Sequence, residues 1–293
     1  MPDAPVTRST LDDLRLAAGD SLAAGPPWVR GEARLEAELL LAATLGLERW
    51  QLRSRGTERV PADTAARFRA LVARRLAGEP LHYLLGRREF WSLELQVAPG
   101  VLVPRADTEC LVEQALLHLD TCLAAGADSY CVLDLGTGSG AIALAIASER
   151  PDVHVTAVEA SPAAACIAAA NIARLAPGRV ELLTGHWYTP VSGRRFHVIV
   201  ANPPYLAVDD PHLPSLAGEP LEALVSGPDG LEAFREIIAG ATAHLLPGGW
   251  LGLEHGATQG PAVRALLQSA GLHDVTTHRD LAGLERVSGG VMA

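Results

Sequence analysis

The chain has 293 residues, 48% of them hydrophobic, which is more than one compact core usually accommodates and predicts a folded protein of one small and one larger domain. Its formal charge is −10, which argues against nucleic acid as a partner, because holding a phosphate backbone depends on many cationic contacts. All 24 basic residues are arginine, which excludes any mechanism that forms a Schiff base on lysine. Residues Met1 to Thr10 are polar, and no later segment reaches the roughly 18 uninterrupted apolar residues of a membrane span, so a cytoplasmic protein with no membrane association is expected. Cys110, Cys122, Cys131 and Cys166 lack metal-ligand or disulfide-framework spacing, so free thiols and no metal are expected.

Residues 10 to 77 carry three helical patterns separated by Gly25-Pro26-Pro27 and by the stretch from Gly56 to Pro61. In the third, Phe68, Leu71, Val72 and Leu76 share one helix face while Arg67, Arg69, Arg74 and Arg75 lie mostly opposite. A helical domain over 1–85 follows. From Phe90 the period becomes two, with Trp91, Leu93, Leu95 and Val97 alternating with polar residues; a Pro99-Gly100 turn and Val101-Leu102-Val103 complete a predicted β-hairpin linker over 86–105. Val112, Leu116, Leu119 and Leu123 open the larger domain, 106–293, on a helix.

Beyond Tyr130 strands and helices alternate. Strands are predicted over 131–135, 153–159, 180–184, 197–201 and 250–254, with helices over 139–150, 162–175, 230–245 and 260–270. This order predicts an α/β fold with a doubly wound, mainly parallel sheet, and ligands of such sheets bind beyond the carboxyl ends of the strands.

The first of these strands runs into Asp134-Leu135-Gly136-Thr137-Gly138-Ser139-Gly140. Glycines at this turn let the backbone approach a ligand closely, and Glu159 at the end of the next strand can accept both hydroxyls of a ribose. A nucleoside-containing cofactor is implied, with Asp134, Gly136, Thr137, Gly138, Gly140 and Glu159 as its candidate contacts. Gly136, Gly138 and Ala141 also satisfy a dinucleotide fingerprint. Asp134 favours a cofactor with a cationic amino-acid end over a pyrophosphate, and so S-adenosylmethionine over a nicotinamide dinucleotide. An Asp that merely caps the following turn is the alternative at that position.

A buried strand then leads into Asn202-Pro203-Pro204-Tyr205, where two prolines stiffen the turn. Stiffness suits a reaction at an amide nitrogen, whose lone pair is delocalised, because positioning must then supply most of the catalysis. The Asn202 side-chain oxygen and the Pro203 carbonyl could accept the two N–H bonds of a primary amide, with Tyr205 flanking the planar group and Asn202 also facing the cofactor. No general base is required. A nicotinamide-dependent dehydrogenase would leave these four residues without a task.

With both motifs in place the chain resembles the protein-(glutamine-N5) methyltransferases that modify the Gly-Gly-Gln motif of class 1 peptide-chain release factors. The resemblance spans nearly the whole chain and includes Gly78-Glu79-Pro80, Gly86 to Trp91, Leu102 to Arg105, Asp107 to Glu109, Glu219-Pro220 and Glu254-His255-Gly256. It implies a class I S-adenosylmethionine-dependent methyltransferase domain, an amino-terminal substrate-docking domain, and Trp187 as an aromatic contact near the adenine. His186 replaces the family's usual Asp and Ala106 its usual Pro. An adenine exocyclic-amine methyltransferase acting on nucleic acid shares the two loops, and a related family methylates a glutamine of a large-subunit ribosomal protein. The acidic balance stands against the first, and the Glu89-Phe90-Trp91 and Asp107-Thr108-Glu109 segments against the second.

Overall fold

A computed structural model describes residues 9–124 and 130–293, apart from the side chains of residues 122–124. The start of the chain, Cys122 and Leu123, all used in the sequence reading, therefore lie outside the described residues or side chains. The chain packs as two units, one comprising residues up to Gly86 with Ser215–Gly218, the other Arg87–Pro214 with Glu219–Ala293.

The first unit is helical: α1 (Leu11–Ala23), α2 (Pro27–Arg30), α3 (Ala33–Leu45), α4 (Arg49–Ser54), α5 (Ala62–Leu76) and α6 (Leu81–Leu85). Thr10 and Asp13 form a reciprocal capping box that satisfies backbone donors at the start of α1. Leu14, Leu22, Leu40, Leu41, Leu52 and Phe68 form its core. Arg75 belongs to that buried face rather than to the solvated one: its guanidinium donates to both carboxylate oxygens of Glu36 at 2.7 and 3.0 Å and to the Trp28 carbonyl at 2.9 Å.

The second unit opens on a hairpin, β1 (Arg87–Phe90) and β2 (Leu93–Gln96). The predicted pairing was displaced: Arg87 pairs with Gln96 and Phe90 with Leu93, so the turn is Trp91-Ser92 and residues 97–105 form no strand. Both turn residues have positive φ, 51° and 58°. That conformation suits a two-residue hairpin but is costly outside glycine or asparagine. Tertiary contacts hold it. The Trp91 backbone N–H donates to Glu109 at 2.9 Å and the indole N–H to Glu149 at 2.8 Å.

Next come α7 (Glu109–Ala124), β3 (Tyr130–Leu135), α8 (Ala141–Glu149), β4 (Val153–Glu159), α9 (Pro162–Leu175), β5 (Val180–Thr184), β6 (Phe196–Ala201), α10 (Glu232–His244), β7 (Leu245–Glu254), α11 (Gly260–Ser269), β8 (His273–Arg279) and β9 (Glu285–Val291). The sheet order is β5-β4-β3-β6-β7-β9-β8, with β9 antiparallel to both its neighbours and the other pairs parallel. The doubly wound, mainly parallel sheet is as expected, but the sequence reading omitted β8 and β9. Val132, Val198 and Val200 pack with residues of α7, α8 and α9 on one face, while Leu133, Leu135 and Ile199 pack with α10 and α11 on the other. Strands buried on both faces read as continuous apolar runs, which is how β3 and β6 were found. No helix among the described residues is long and apolar enough to cross a membrane.

Candidate functional site

A cavity of about 390 Å³ opens beyond the carboxyl ends of β3, β4 and β6, where a doubly wound sheet places its ligands. Gly136, Thr137, Gly138, Glu159, Trp187, Asn202, Pro203 and Pro204 all line it, so the two motifs meet at one site. Asp134, Gly140 and Tyr205 do not line it.

The turn after β3 needs its glycines. Gly136, Gly138 and Gly140 have φ of 71°, 58° and 86°, the left-handed region that other residues enter at a cost. The Gly136 and Thr137 N–H groups both donate to the Val158 carbonyl, at 2.9 and 3.0 Å, which ties the loop to β4. A Cβ on Gly136 would lie 3.3 Å from the Trp187 ring, so the glycine lets the backbone pass close under the indole that walls the cavity. Trp187 has φ 44° itself and donates its indole N–H to Glu236 at 3.1 Å. His186 also lines the cavity but stays largely exposed, 3.8 Å from the Glu236 carboxylate.

Glu159 accepts the Gly138 N–H and the Ser161 N–H, one on each carboxylate oxygen and both at 2.8 Å. Each oxygen retains a lone pair for a further donor, which fits a ribose diol. Asp134 works from beneath. Its Oδ2 accepts the Thr137 hydroxyl at 2.6 Å and the Ala143 N–H at 3.1 Å, while Oδ1 is buried without a hydrogen-bond partner. Burial pushes its pKa up to about 7, against the opposing pull of Thr137 and Ala143. The alternative reading of Asp134, a cap on the following turn, describes these contacts. Gly140 is the N-cap of α8, and its N–H donates to the Thr137 carbonyl at 2.9 Å.

In the Asn202-Pro203-Pro204-Tyr205 loop, Tyr205 packs against the core that includes residues of α10 and α11; its backbone N–H donates to the Leu224 carbonyl at 3.1 Å and its own carbonyl accepts from Gln259 at 2.9 Å. Burial raises its phenol to about 12, so it stays protonated. The Asn202 side-chain N–H donates to the Thr108 hydroxyl at 3.2 Å. Thr108 lines the cavity, and the sequence reading gave it no role. Glu254, at the end of β7, is fully buried beside this pair: burial pushes its pKa up to about 7, the Thr108 hydroxyl, Arg286 and Asn202 lower it, and Asp107 raises it. A second carboxylate, Glu219, accepts the Val103 N–H at 3.0 Å and pairs with Arg105, joining two loops of the cavity wall. Thr108, Glu219 and Glu254 stand in segments that carry the family resemblance, but their pairings depend on contacts between distant segments and are not legible locally.

Two family models match the chain, a PrmC N-terminal domain over residues 27–86 and a methyltransferase small domain over 113–213. The release factor glutamine methyltransferase of Burkholderia pseudomallei is 52% identical over 264 residues, 87% of this chain and 91% of its own. The chain belongs to the release factor glutamine methyltransferase family. The Escherichia coli member is 44% identical over 258 residues, 87% of this chain and 91% of its own. Among solved structures, a Thermus thermophilus 16S rRNA N2 G1207 methyltransferase in complex with AdoMet and guanosine has TM-score 0.51 at 23% identity, covering 71% of this chain and 50% of its own. The hMettl16 catalytic domain, in complex with an RNA hairpin, has TM-score 0.54 at 14% identity and covers 76% and 82%. These two share the fold of this family's catalytic unit. The small methyltransferase model spans the glycine loop, Glu159 and Asn202 to Tyr205, so the matched segment contains both halves of the cavity.

Proposed function

We propose that this protein transfers a methyl group from S-adenosylmethionine to the side-chain amide nitrogen of the glutamine in the Gly-Gly-Gln motif of class 1 peptide-chain release factors. The observation that carries the reading is the meeting of the Gly136–Gly138 loop, Glu159 and Asn202-Pro203-Pro204 in one cavity, within a chain 44–52% identical to release factor glutamine methyltransferases. The Glu159 lone pairs and the close passage of Gly136 under Trp187 fit the nucleoside part of the cofactor. Bound S-adenosylmethionine supplies an electrophilic methyl group on a sulfonium.

The chain's own residues then have a positioning task. Asn202 Oδ1 and the Pro203 carbonyl accept the two N–H bonds of the target amide and turn its nitrogen toward the methyl group. As positive charge grows on that nitrogen the same two acceptors stabilise it, which is preorganised electrostatics in place of a base. The proton leaves for water after methyl transfer. Holding the amide in line accounts for up to about 7–11 kcal/mol of barrier in well-oriented reactions. The helical unit, over 1–85, serves as the docking domain for the release factor, and the cytoplasm is where that substrate resides.

Labelled methyl transfer to a purified, unmodified release factor, to the same factor with its motif glutamine changed to glutamate, and to an adenine-containing RNA tests the reading. Label on the first alone supports it. Label on the RNA in place of the factor would move the activity to exocyclic amines of nucleic acid.

A further inference from the structure

We infer that Glu254 is a positioning residue for methyl transfer, which acts on Asn202 directly and through Thr108 to fix which end of the Asn202 amide faces the target. This rests on the reading that Asn202 holds the target amide. The β6–β7 register pairs Ala201 with Leu253, so Asn202 and Glu254 emerge side by side at the carboxyl ends of neighbouring strands. Thr108 comes from the turn before α7 and its hydroxyl accepts the Asn202 N–H at 3.2 Å, while Thr108 and Asn202 both act on the Glu254 carboxyl as hydrogen-bonding groups that favour its charged form.

The polarity of this trio follows from what each group can do. A carboxylate only accepts, so the Thr108 hydroxyl spends its proton on Glu254 and is left with lone pairs. The Asn202 atom that meets those lone pairs, and the carboxylate itself, must then be the amide nitrogen. That turns Oδ1 away from Thr108 as the acceptor for a target N–H. With the amide reversed, two acceptors would face each other at Thr108 and Asn202 would present a donor to the target, which is the wrong polarity. Glu254 is costly for the fold as a merely structural group. It is 1% exposed, and its Oε2 is buried with no hydrogen-bond partner.

Several charged or titratable groups face Glu254. Arg286 on β9 is attractive, but its guanidinium is shared with Asp280 at 3.0 Å and Asp107 at 3.4 Å. Asp107, the Tyr205 phenol and the Cys110 thiol supply no positive charge. Burial therefore outweighs the partners and holds the carboxyl near neutrality. Once protonated, Glu254 can donate to Thr108, the Thr108 proton is released to point at Asn202, and the fixed polarity is lost. Turnover at saturating substrate then falls as pH drops through about 7.

The test is steady-state kinetics with S-adenosylmethionine and an unmodified release factor. Glu254→Gln should lower kcat by about tenfold or more, leave the cofactor Kd within about twofold, and remove the acidic limb of the kcat–pH profile. Thr108→Val should also lower kcat, the double variant should lose less than the product of the two single losses, and Thr108→Ser should recover turnover relative to Thr108→Val. Unchanged kcat and pH profile in Glu254→Gln, even with a lowered melting temperature, would overturn the inference. If that variant does not fold, the Thr108→Val and Thr108→Ser pair decides, and full activity in Thr108→Val overturns it. Asn202→Ala separates the two levels: an active Asn202→Ala refutes the target-site reading itself, whereas an inactive one beside a fully active Glu254→Gln refutes only the role of Glu254.

Discussion

Replacing Gly136 by alanine tests the cofactor half of the site with a single methyl group. Gly136 has φ 71°, and forcing a residue with a Cβ into that region costs roughly 1–2 kcal/mol. The added Cβ would also stand 3.3 Å from Trp187 Cζ3, so the indole must give way by a few tenths of an ångström at the cavity wall. In the free protein the loop can escape by returning to negative φ and giving up the 2.9 Å bond from the Gly136 N–H to Val158. On the proposed cofactor contacts of Gly136, binding requires that loop to be rebuilt. The strain then surfaces as affinity, and a total of roughly 2 kcal/mol corresponds to an about 30-fold higher Kd for S-adenosylmethionine. Gly138→Ala is the internal control. Its φ is 58°, but the nearest group to an added Cβ is Val101 at an ordinary 3.6 Å, so only the backbone cost of roughly 1 kcal/mol, about fivefold, applies. Isothermal titration calorimetry on both variants reads the difference, with thermal melts to confirm folding. Gly136→Ala binding within about twofold of the parent, or no worse than Gly138→Ala, would refute the argument.

Two further outcomes follow from buried polar groups. Asn171 on α9 is fully buried and joins the hairpin to the glycine loop, accepting the Gln96 N–H at 2.8 Å and donating to the Gln96 and Ser139 carbonyls at 3.0 and 2.9 Å. Asn171→Ala strands those groups and should cost roughly 2–3 kcal/mol in chemical denaturation; a cost under about 0.5 kcal/mol would contradict the bonding described. Asp134 titrates with a folded pKa of about 7 against an ordinary 3.8, so its contribution to stability is present below the lower value and is lost as pH rises through the higher. Asp134→Asn removes that titration, and its stability relative to the parent should rise by roughly 2–3 kcal/mol between about pH 5 and about pH 8. Parallel stability profiles for the two proteins would refute the burial argument.

Apolar strands followed by glycines or prolines were legible because their local chemistry is unambiguous. Val198 to Ala201 lies buried between two helical layers and Asn202-Pro203-Pro204 cannot continue a strand, so β6 and its loop could be placed from sequence within one residue. The hairpin was misplaced for the opposite reason. Trp91-Ser92 is a turn whose positive φ values are supported by Glu109 and Glu149 from α7 and α8, while the turn-forming Pro99-Gly100 leads into no strand. β8 and β9 were missed because His273, Asp274, Glu285, Arg286 and the Gly289-Gly290 pair obscure their alternation. Gly289 is a strand position set by packing: a Cβ there would lie 2.5 Å from the Trp250 indole nitrogen. At the cavity, Gly136, Thr137, Gly138, Glu159, Asn202, Pro203 and Pro204 were legible as contiguous motifs, whereas Thr108, Glu219 and Glu254 stand in segments that carry the family resemblance but take their partners from segments far apart in the chain.

Peptide mass spectrometry of an unmodified release factor, incubated with S-adenosylmethionine and either the parent protein or Asn202→Ala, decides whether this cavity methylates a glutamine amide held by Asn202. A gain of one methyl group, about 14 Da, is expected on the Gly-Gly-Gln glutamine with the parent and none with Asn202→Ala, while cofactor affinity of the variant stays within a few-fold. Methylation at that glutamine by Asn202→Ala at the parental rate, or no methylation by a parent protein that binds the cofactor, would contradict that expectation.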